Sequence, residues 1–286
     1  MSNLIFKVFV YFKSMLNYII LSNYMFAKNK LYLSSDSKII VSLTTYSKRV
    51  DLIHLTLKSI LLQTSPPKKI YLWLSKVNFP NEELPESLQK LVKLGVTIKF
   101  VEEDIRSYKK IIYTYEEEQQ NEDLFIVTAD DDIYYPKYWL KHIEDKIKLN
   151  SDYIYCYRAQ SISFKTENQV DDYSKWILYN CSTPSYSILP TGVSGICYPM
   201  KSLKGVCDLT FLEICPTADD IWLRFITLKN EYKSKLVCGK SLHFTPVIKP
   251  FNMPDKGLEK ENVFMNANTK AFNNCLSFFN FTKKDF

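Results

Sequence analysis

The sequence is poor in histidine, glycine and paired cysteine. Only 3 histidines and 6 glycines occur among its 286 residues. The 7 cysteines are odd in number and no two form a C-x-x-C pair, so neither a zinc knuckle nor a disulfide framework is indicated. We expect buried free thiols in a reducing compartment, which favours a cytoplasmic location.

Concentrated positive charge is also missing. The 37 Lys and Arg residues give a formal net charge of +6, but they are spread along the chain without a block of five or six. Nothing in the sequence therefore calls for nucleic acid as a partner.

Residues 1–35 contain no acid and no small-residue cleavage site of the signal-peptide type. Their longest charge-free interval, residues 14–27, is too short to span a bilayer. Lysines and apolar residues at helical spacing occur here, namely Lys7, Lys13, Lys28 and Lys30, with Leu4, Ile5, Val8, Phe9, Phe12, Met15, Leu16, Ile19 and Ile20. The pattern predicts a helix that either lies on an anionic membrane surface or packs its apolar stripe on the domain.

The rest of the chain, 46% hydrophobic in the sequence as a whole, has the pattern of one α/β domain. Apolar runs that indicate strands alternate with helical patterns, which predicts a mostly parallel sheet covered on both faces. The expected strands are residues 38–46, 70–74, 95–100, 124–129 and 153–157, and the expected helices are residues 50–62, 84–93, 108–119 and 137–149.

The later segments have looser patterns. Residues 161–189 are predicted to form a hairpin or a flap, and the tail from residue 249 onward, which lacks periodicity, to form a wrap, a lid or a disordered segment. The predicted division is an N-terminal helix region (1–35), a catalytic domain (36–245) and a small mixed C-terminal extension (246–286).

Three consecutive acids, Asp130, Asp131 and Asp132, follow the apolar run at residues 124–129. In open α/β sheets, ligands bind at the carboxyl ends of the strands. Adjacent carboxylates there need a cation, and oxygen ligands suit Mg²⁺ or Mn²⁺. Because Mg²⁺ leaves positions for phosphate oxygens, the site predicts a phosphate-bearing substrate. The alternative is a solvated acidic turn that caps the helix predicted from residue 137.

Two further segments contain residues that could take part in binding or catalysis. Residues 190–195 (PTGVSG) hold two of the six glycines, so the backbone there needs unusual dihedral angles or a close approach to another group. Thr217 is expected to cap a helix whose first turn contains Asp219 and Asp220.

Together these segments resemble a GT-A-fold glycosyltransferase of the bacterial capsule or lipopolysaccharide type, related to glycosyltransferase family 2. Residues 42–49 (SLTTYSKR) resemble the nucleotide-binding end of its first strand, and residues 130–132 its D-x-D metal motif. Residues 190–195 resemble its glycine-bearing loop, and Asp219 with Asp220 its Glu-Asp pair. The resemblance covers residues 38–245.

The resemblance implies transfer of a hexose from a nucleotide sugar, with a UDP-sugar favoured, to a glycan or lipid-linked acceptor in cell-surface polysaccharide synthesis. It implies an inverting reaction with Asp220 as general base and Asp219 orienting a substrate. It also implies Mn²⁺ or Mg²⁺ on Asp131, Asp132 and His243, although Asp130 with Asp132 could serve instead. The implied donor contacts are Thr44, Thr45, Tyr46, Arg49, Lys109, Asp130, Gly192 and Gly195.

Some alternatives stay open. Lys110, next to Lys109, could equally contact phosphate, but surface lysines usually do nothing specific. A D-x-D phosphohydrolase is a competing function, although three predicted strands precede the motif here and Tyr134 occupies the place of the usual Thr or Val. A non-catalytic module that binds a nucleotide sugar or glycan is another. If the N-terminal helix binds lipid, the protein lies at the inner face of the bacterial plasma membrane.

Overall fold

The computed structural model of the chain describes residues 2–27, 30–248 and 267–286. Its helices are α1 (Ser2–Ser22), α2 (Ile53–Leu61), α3 (Glu86–Val92), α4 (Lys109–Glu118), α5 (Trp139–Leu149), α6 (Phe211–Ile214), α7 (Asp219–Lys229) and α8 (Ala267–Phe279). Its strands are β1 (Ile39–Thr44), β2 (Lys69–Ser75), β3 (Val96–Val101), β4 (Phe125–Thr128), β5 (Ile133–Tyr134), β6 (Tyr153–Cys156), β7 (Ala159–Ser161), β8 (Phe164–Thr166), β9 (Gln169–Val170), β10 (Ile188–Pro190), β11 (Ile196–Pro199), β12 (Lys233–Leu236) and β13 (Thr245–Pro246).

A seven-stranded sheet forms the centre, in the order β12, β6, β11, β4, β1, β2, β3. Strands β4, β1, β2 and β3 are parallel neighbours, whereas β11 runs antiparallel to both β4 and β6. The register pairs Ser42 of β1 with Thr128 of β4. The carboxyl ends of β1 and β4 therefore meet at one edge of the sheet, and the predicted mostly parallel α/β fold is confirmed.

Helices cover both faces of this sheet, because strands such as β1 (IIVSLT) bury side chains on both sides. One core contains side chains of α4, α7 and α8, among them Ile111, Trp222 and Phe272. The other contains side chains of α2, α3 and α5, among them Ile53 and Leu88. The segment predicted as a hairpin or flap contains the β8–β9 hairpin, and β10 pairs with β7.

The C-terminal prediction needs correction where the structure describes it. Residues 267–279 form α8, and Phe272, Cys275 and Leu276 are buried in the same core as α4 and α7. These residues are part of the main core, so they form neither a lid nor a disordered segment. The segment packs through aromatic rings such as Phe272, Phe279 and Phe281, which contact Phe225 of α7. Because the tail lacks periodicity, the sequence pattern did not reveal the packing. The stretch 249–266 lies outside the described residues.

The predicted N-terminal helix is confirmed as α1, but its apolar stripe does not pack on the domain. Ser14 and Leu21 are buried, whereas Ile5, Phe9 and Phe12 are exposed. The interpretation in which the stripe covers the domain is therefore wrong. By length and composition the segment Ile5–Ser22 could also cross a membrane, although Lys7 and Lys13 lie within it.

Candidate functional site

The acid triplet leaves the carboxyl end of β4 beside β1, as predicted. The N–H of Ala129 donates to the carbonyl of Ser42 at 2.9 Å and extends the pairing of the two strands. The N–H of Asp130 then donates to the hydroxyl of Tyr135 at 2.8 Å. The hydroxyl of Thr56 donates to the carbonyl of Asp131 at 2.9 Å. The turn that presents the three carboxylates is thus fixed by its own backbone hydrogen bonds.

Asp131 and Asp132 share one arginine. Arg49 Nη1 lies 3.0 Å from Asp131 Oδ1 and 2.9 Å from Asp132 Oδ2. The hydroxyl of Thr45 donates to the second oxygen of Asp131. Burial lowers the pKa of Arg49, but the two acids raise it by more, so the guanidinium stays charged. Burial also raises the pKa of Asp131 more than Arg49 lowers it.

Lys110, in the first turn of α4, joins the triplet to α7. Its Nζ lies 3.1 Å from Asp130 Oδ1 and 3.3 Å from Asp219 Oδ2, and its side chain is only 6% exposed. Burial lowers the pKa of Lys110, but Asp219, Asp130 and Asp220 together raise it well above its usual value. A charged ammonium in this position brings the acids of β4 and α7 into one site.

Asp220 lies against the glycine-bearing loop. Its Oδ2 accepts a hydrogen bond of 2.7 Å from the N–H of Gly192. A Cβ at Gly192 would lie 3.2 Å from Asp220 Oδ1, so the close approach favours glycine. Burial, followed by the charge of Asp219, raises the pKa of Asp220 to about 7. Burial and Asp219 therefore outweigh the charge of Lys110 and the hydrogen bond from Gly192, both of which lower the pKa of Asp220.

The predicted acids lie at the start of α7. Asp219 and Asp220 do fall in its first turn, but the residue before the helix is Ala218, whose side chain cannot cap it. The expected capping role of Thr217 stays a prediction.

The other predicted donor contacts lie around the triplet in several orientations. The ring of Tyr46 lies 5.6 Å from the guanidinium carbon of Arg49. Thr44 donates through its hydroxyl to the carbonyl of Trp73 at 2.8 Å, which directs it into the sheet. Gly195 has a φ of +94°, and a Cβ there would lie 2.7 Å from the ring of Trp139. These donor-binding roles stay predictions.

Lys109 and His243 are not joined to the acids by any contact that we find among the described residues. Lys109 is buried and forms an ion pair with Asp104. His243 is exposed, and its Nδ1 lies 3.0 Å from the carbonyl of Phe244. The residue that sequence reasoning underrated is Lys110, which differs from Lys109 by one position and hence by about 100° around the helix. Only the direction of that helix face separates the two.

No group of three or more His, Cys, Asp or Glu side chains that could hold a metal ion occurs in the described parts of the chain. Arg49 and Lys110 form ion pairs with the triplet. The donor set still fits a hard divalent ion, because Mg²⁺ needs only one or two carboxylates and takes phosphate oxygens and water for the rest. Of the two acids that pair with Arg49, Asp132 is more accessible than Asp131, since its side chain is 40% exposed.

A cavity of about 540 Å³ lies at the opposite edge of the sheet. It is lined at the amino ends of β1 and β4 by Ile39 and Phe125 and contains none of the predicted site residues. We place the candidate site at the carboxyl edge, since the convergent charged side chains lie there and not at the cavity.

No protein-family model matches the chain, and no curated protein matches it. Among solved structures it is similar to S. aureus TarS 1-349, with 18% identity over 71% of this chain and 58% of that one, at a TM-score of 0.44. It is also similar to the mannosyltransferase PcManGT from Pyrobaculum calidifontis, solved with GDP-Man and Mn²⁺, with 11% identity over 96% and 79% of the two chains and a TM-score of 0.47. A 4-diphosphocytidyl-2C-methyl-D-erythritol synthase has 11% identity over 75% and 95%, also at 0.47.

These similarities are to GT-A-like glycosyltransferases and nucleotidyltransferases. The chain spans only 58% of the TarS segment that it matches. At such identities and TM-scores, the matches say nothing of the reaction.

Proposed function

We propose that this chain is a glycosyltransferase that moves a hexose from a nucleotide sugar to an acceptor hydroxyl. The observation that carries the proposal is the convergence of two acid groups on Lys110 at the carboxyl edge of β4. Asp130 arrives there from the strand and Asp219 from α7, at 3.1 and 3.3 Å from the same Nζ. The acids that follow β4 are suited to binding a charged donor, and the acids at the start of α7 are suited to act as a general base. A transfer reaction needs both within one site.

Asp220 is the general base in this proposal. A carboxyl group whose pKa is about 7 is half ionised at neutral pH and can take the proton of an attacking hydroxyl. The N–H of Gly192 holds one of its oxygens at 2.7 Å, which orients the group. Asp219 is tied to Lys110 and positions the base or the acceptor. Attack on the face opposite the leaving group inverts the anomeric carbon.

The donor diphosphate is proposed to lie over the acid triplet, next to Arg49 and Lys110. Asp132, with Asp131 or Asp130, would hold Mn²⁺ or Mg²⁺, which supplies positive charge to the departing nucleoside diphosphate when bound. Thr45 and Arg49 hold Asp131 in place. We favour UDP as the nucleotide and a glycan or a lipid-linked sugar as the acceptor.

The proposal is tested by thermal unfolding of the purified protein with UDP, GDP, CDP and UTP, each with and without Mn²⁺. A ligand at about 100 times its Kd adds about 2.7 kcal/mol to the stability of the native state, which raises the unfolding temperature by several degrees. We expect UDP with Mn²⁺ to give this increase. Asp132→Asn should lose the Mn²⁺-dependent part, whereas Asp36→Asn, an equal change at an exposed acid, should keep it.

The competing functions have different results. Stabilisation by UTP but not by UDP or a UDP-sugar would indicate nucleotidyl transfer. Failure of every nucleotide to stabilise the protein would overturn the transferase proposal and favour the phosphohydrolase. Binding of a UDP-sugar without its turnover, in the wild type as in Asp220→Asn, would indicate a non-catalytic module.

A further inference from the structure

α1 contacts the domain through a face with few apolar side chains, on which Ser14 and Leu21 lie. The hydroxyl of Ser14 donates to the carbonyl of Pro246 at 2.8 Å and accepts from the N–H of Ile248 at 3.1 Å. Leu21, one residue before the end of α1, is buried, and its carbonyl accepts a hydrogen bond from Lys58 Nζ at 2.6 Å. These contacts use the C-terminal part of the helix and one side of it only.

The opposite side of α1 is the more apolar one, and its large side chains are exposed among the residues that the structure describes. At 100° per residue, positions 5, 9, 12, 16 and 19 form a stripe on the far side from Ser14 and Leu21. The stripe consists of Ile5, Phe9, Phe12, Leu16 and Ile19, whose exposed fractions run from 47% to 68%. Contiguous large apolar side chains at such exposure mark an interaction surface.

Such a stripe could be covered by a second copy of α1 or by a lipid surface, and the charge of the helix favours one of the two. Its spacing of four and three residues would also serve a helix pair formed with a second copy. Residues 1–35, however, contain lysines and no acid, so two copies of α1 have no opposite charges with which to form the ion pairs that flank such a helix pair. An anionic lipid surface instead attracts Lys7 and Lys13 while it buries the stripe.

The helix is also linked to the candidate site through hydrogen-bonded backbone. β13, whose Pro246 accepts from Ser14, pairs with β5 immediately after the acid triplet. The next residue, Val247, donates through its N–H to the carbonyl of Asp132 at 2.6 Å. Whatever holds the stripe therefore lies on the side of the molecule that carries the triplet.

We propose that α1 docks on anionic membrane lipid through the stripe of Ile5, Phe9, Phe12, Leu16 and Ile19. Docking in the plane of the interface keeps the hydrogen bonds of Ser14 in place, whereas a spanning helix would have to break them. It brings the triplet edge of the sheet to the bilayer, which, on the function proposed above, selects the lipid-linked acceptor over a soluble glycan.

The test is flotation of the full chain with vesicles of phosphatidylcholine alone and with 30% phosphatidylglycerol. The wild type should float with the anionic vesicles. The double variant Phe9→Ser/Phe12→Ser should lose more than tenfold in partition, and Lys7→Gln/Lys13→Gln should lose roughly tenfold on anionic vesicles only. The matched control is Leu149→Ser/Ile177→Ser, which alters two exposed apolar residues outside α1 and should float like the wild type.

Two measurements make the result decisive. The unfolding temperature of the Phe9/Phe12 variant should equal that of the wild type, because both rings are already solvent-exposed. Equal flotation of this variant and the wild type would overturn the proposal. So would a vesicle-free dimer, detected by light scattering, that the variant abolishes while the wild type fails to float. Nucleotide stabilisation of the Phe9/Phe12 variant reports on the transferase proposal separately, since the stripe makes no contact with the triplet.

Discussion

At the scale of single residues, the site depends on how two cations are divided among five acids. Arg49 forms ion pairs with Asp131 and Asp132, and Lys110 forms ion pairs with Asp130 and Asp219. Asp220 receives a backbone N–H and only the more distant charge of Lys110. The acid with the weakest neutralisation is therefore the one whose position suits proton transfer.

The pH dependence of transfer follows from this division. Because burial raises the pKa of Asp220 to about 7, its base form accumulates as pH rises through 7. We expect kcat/KM to fall about tenfold per pH unit below 7 and to level off above it. Asp220→Asn should reduce kcat by about 10² to 10⁴ and abolish this profile, while Asp152→Asn at the surface should leave it intact. A rate independent of pH between 5.5 and 8 would exclude Asp220 as the base.

The same residue affects stability with a known sign. A carboxyl group whose folded pKa exceeds its unfolded value stabilises the fold fully below the unfolded value, and that contribution is lost as pH rises through the folded pKa of about 7. The stability of Asp220→Asn relative to the wild type should therefore improve as pH rises from 4 to 7.

The sequence identified the acids at this scale but not their cations. Asp130 to Asp132 and the Asp219 pair are recognisable because an apolar strand or a helix start precedes them. The link between Arg49 and Asp131 spans 82 positions in the chain, and no local pattern encodes it. Similarly, the choice between Lys109 and Lys110 depends on the direction of one helix face in the folded molecule.

At the scale of elements, the loop between β10 and β11 is fixed by close contacts as well as by its dihedral angles. Gly195 has a φ of +94°, and Gly205, in an exposed turn, has a similar φ of +86° with open space around it. The two glycines thus share the backbone requirement, and only Gly195 is also close to a ring, that of Trp139.

Alanine at these two glycines separates the two effects. Gly205→Ala should cost about 1 to 2 kcal/mol, from the left-handed backbone alone. Gly195→Ala should cost about 1 to 3 kcal/mol more, because its Cβ would press on the buried Trp139. Urea unfolding measures both free energies. Equal losses would show that Trp139 moves aside freely and that contact does not constrain the loop.

Element boundaries were predictable where propensity and burial agree. Helices α2 to α5 and strands β1 to β4 fall within a few residues of their predicted ranges, because each has a buried apolar face of the expected period. α8 was missed since its segment, ANTKAFNNCLSFF, is rich in asparagine and gains stability from rings on α7 instead of from propensity. The sequence left open whether the apolar stripe of α1 packs on the domain, and in the structure it points outward.

At the scale of the whole molecule, local stability should vary steeply along α1. Residues 14–21 contact the domain through Ser14 and Leu21, whereas the side chains of residues 5–13 make few contacts with it. A short helical segment without tertiary contacts is only marginally stable in water.

Hydrogen exchange of the protein without lipid tests this gradient. Amides of residues 5–13 should exchange roughly a hundredfold faster than those of residues 16–21. α8, a helix of 13 residues with a buried face, serves as the reference and should be well protected throughout. Uniform protection along α1 would show that residues 5–13 are stably helical without contacts with the domain or with a membrane.

The antiparallel strand in the middle of the sheet has a consequence for biosynthesis. β4, which delivers the acid triplet, pairs with β1 on one side and with β11 on the other, and β11 follows it by about 70 residues. Until that length has left the ribosome, one edge of β4 has no strand to pair with and its hydrogen-bonding groups stay open to neighbouring nascent chains. Asp219 and Asp220 emerge later still. β4 therefore keeps one open edge while about 70 further residues are synthesised, and the site is complete only after α7 has emerged.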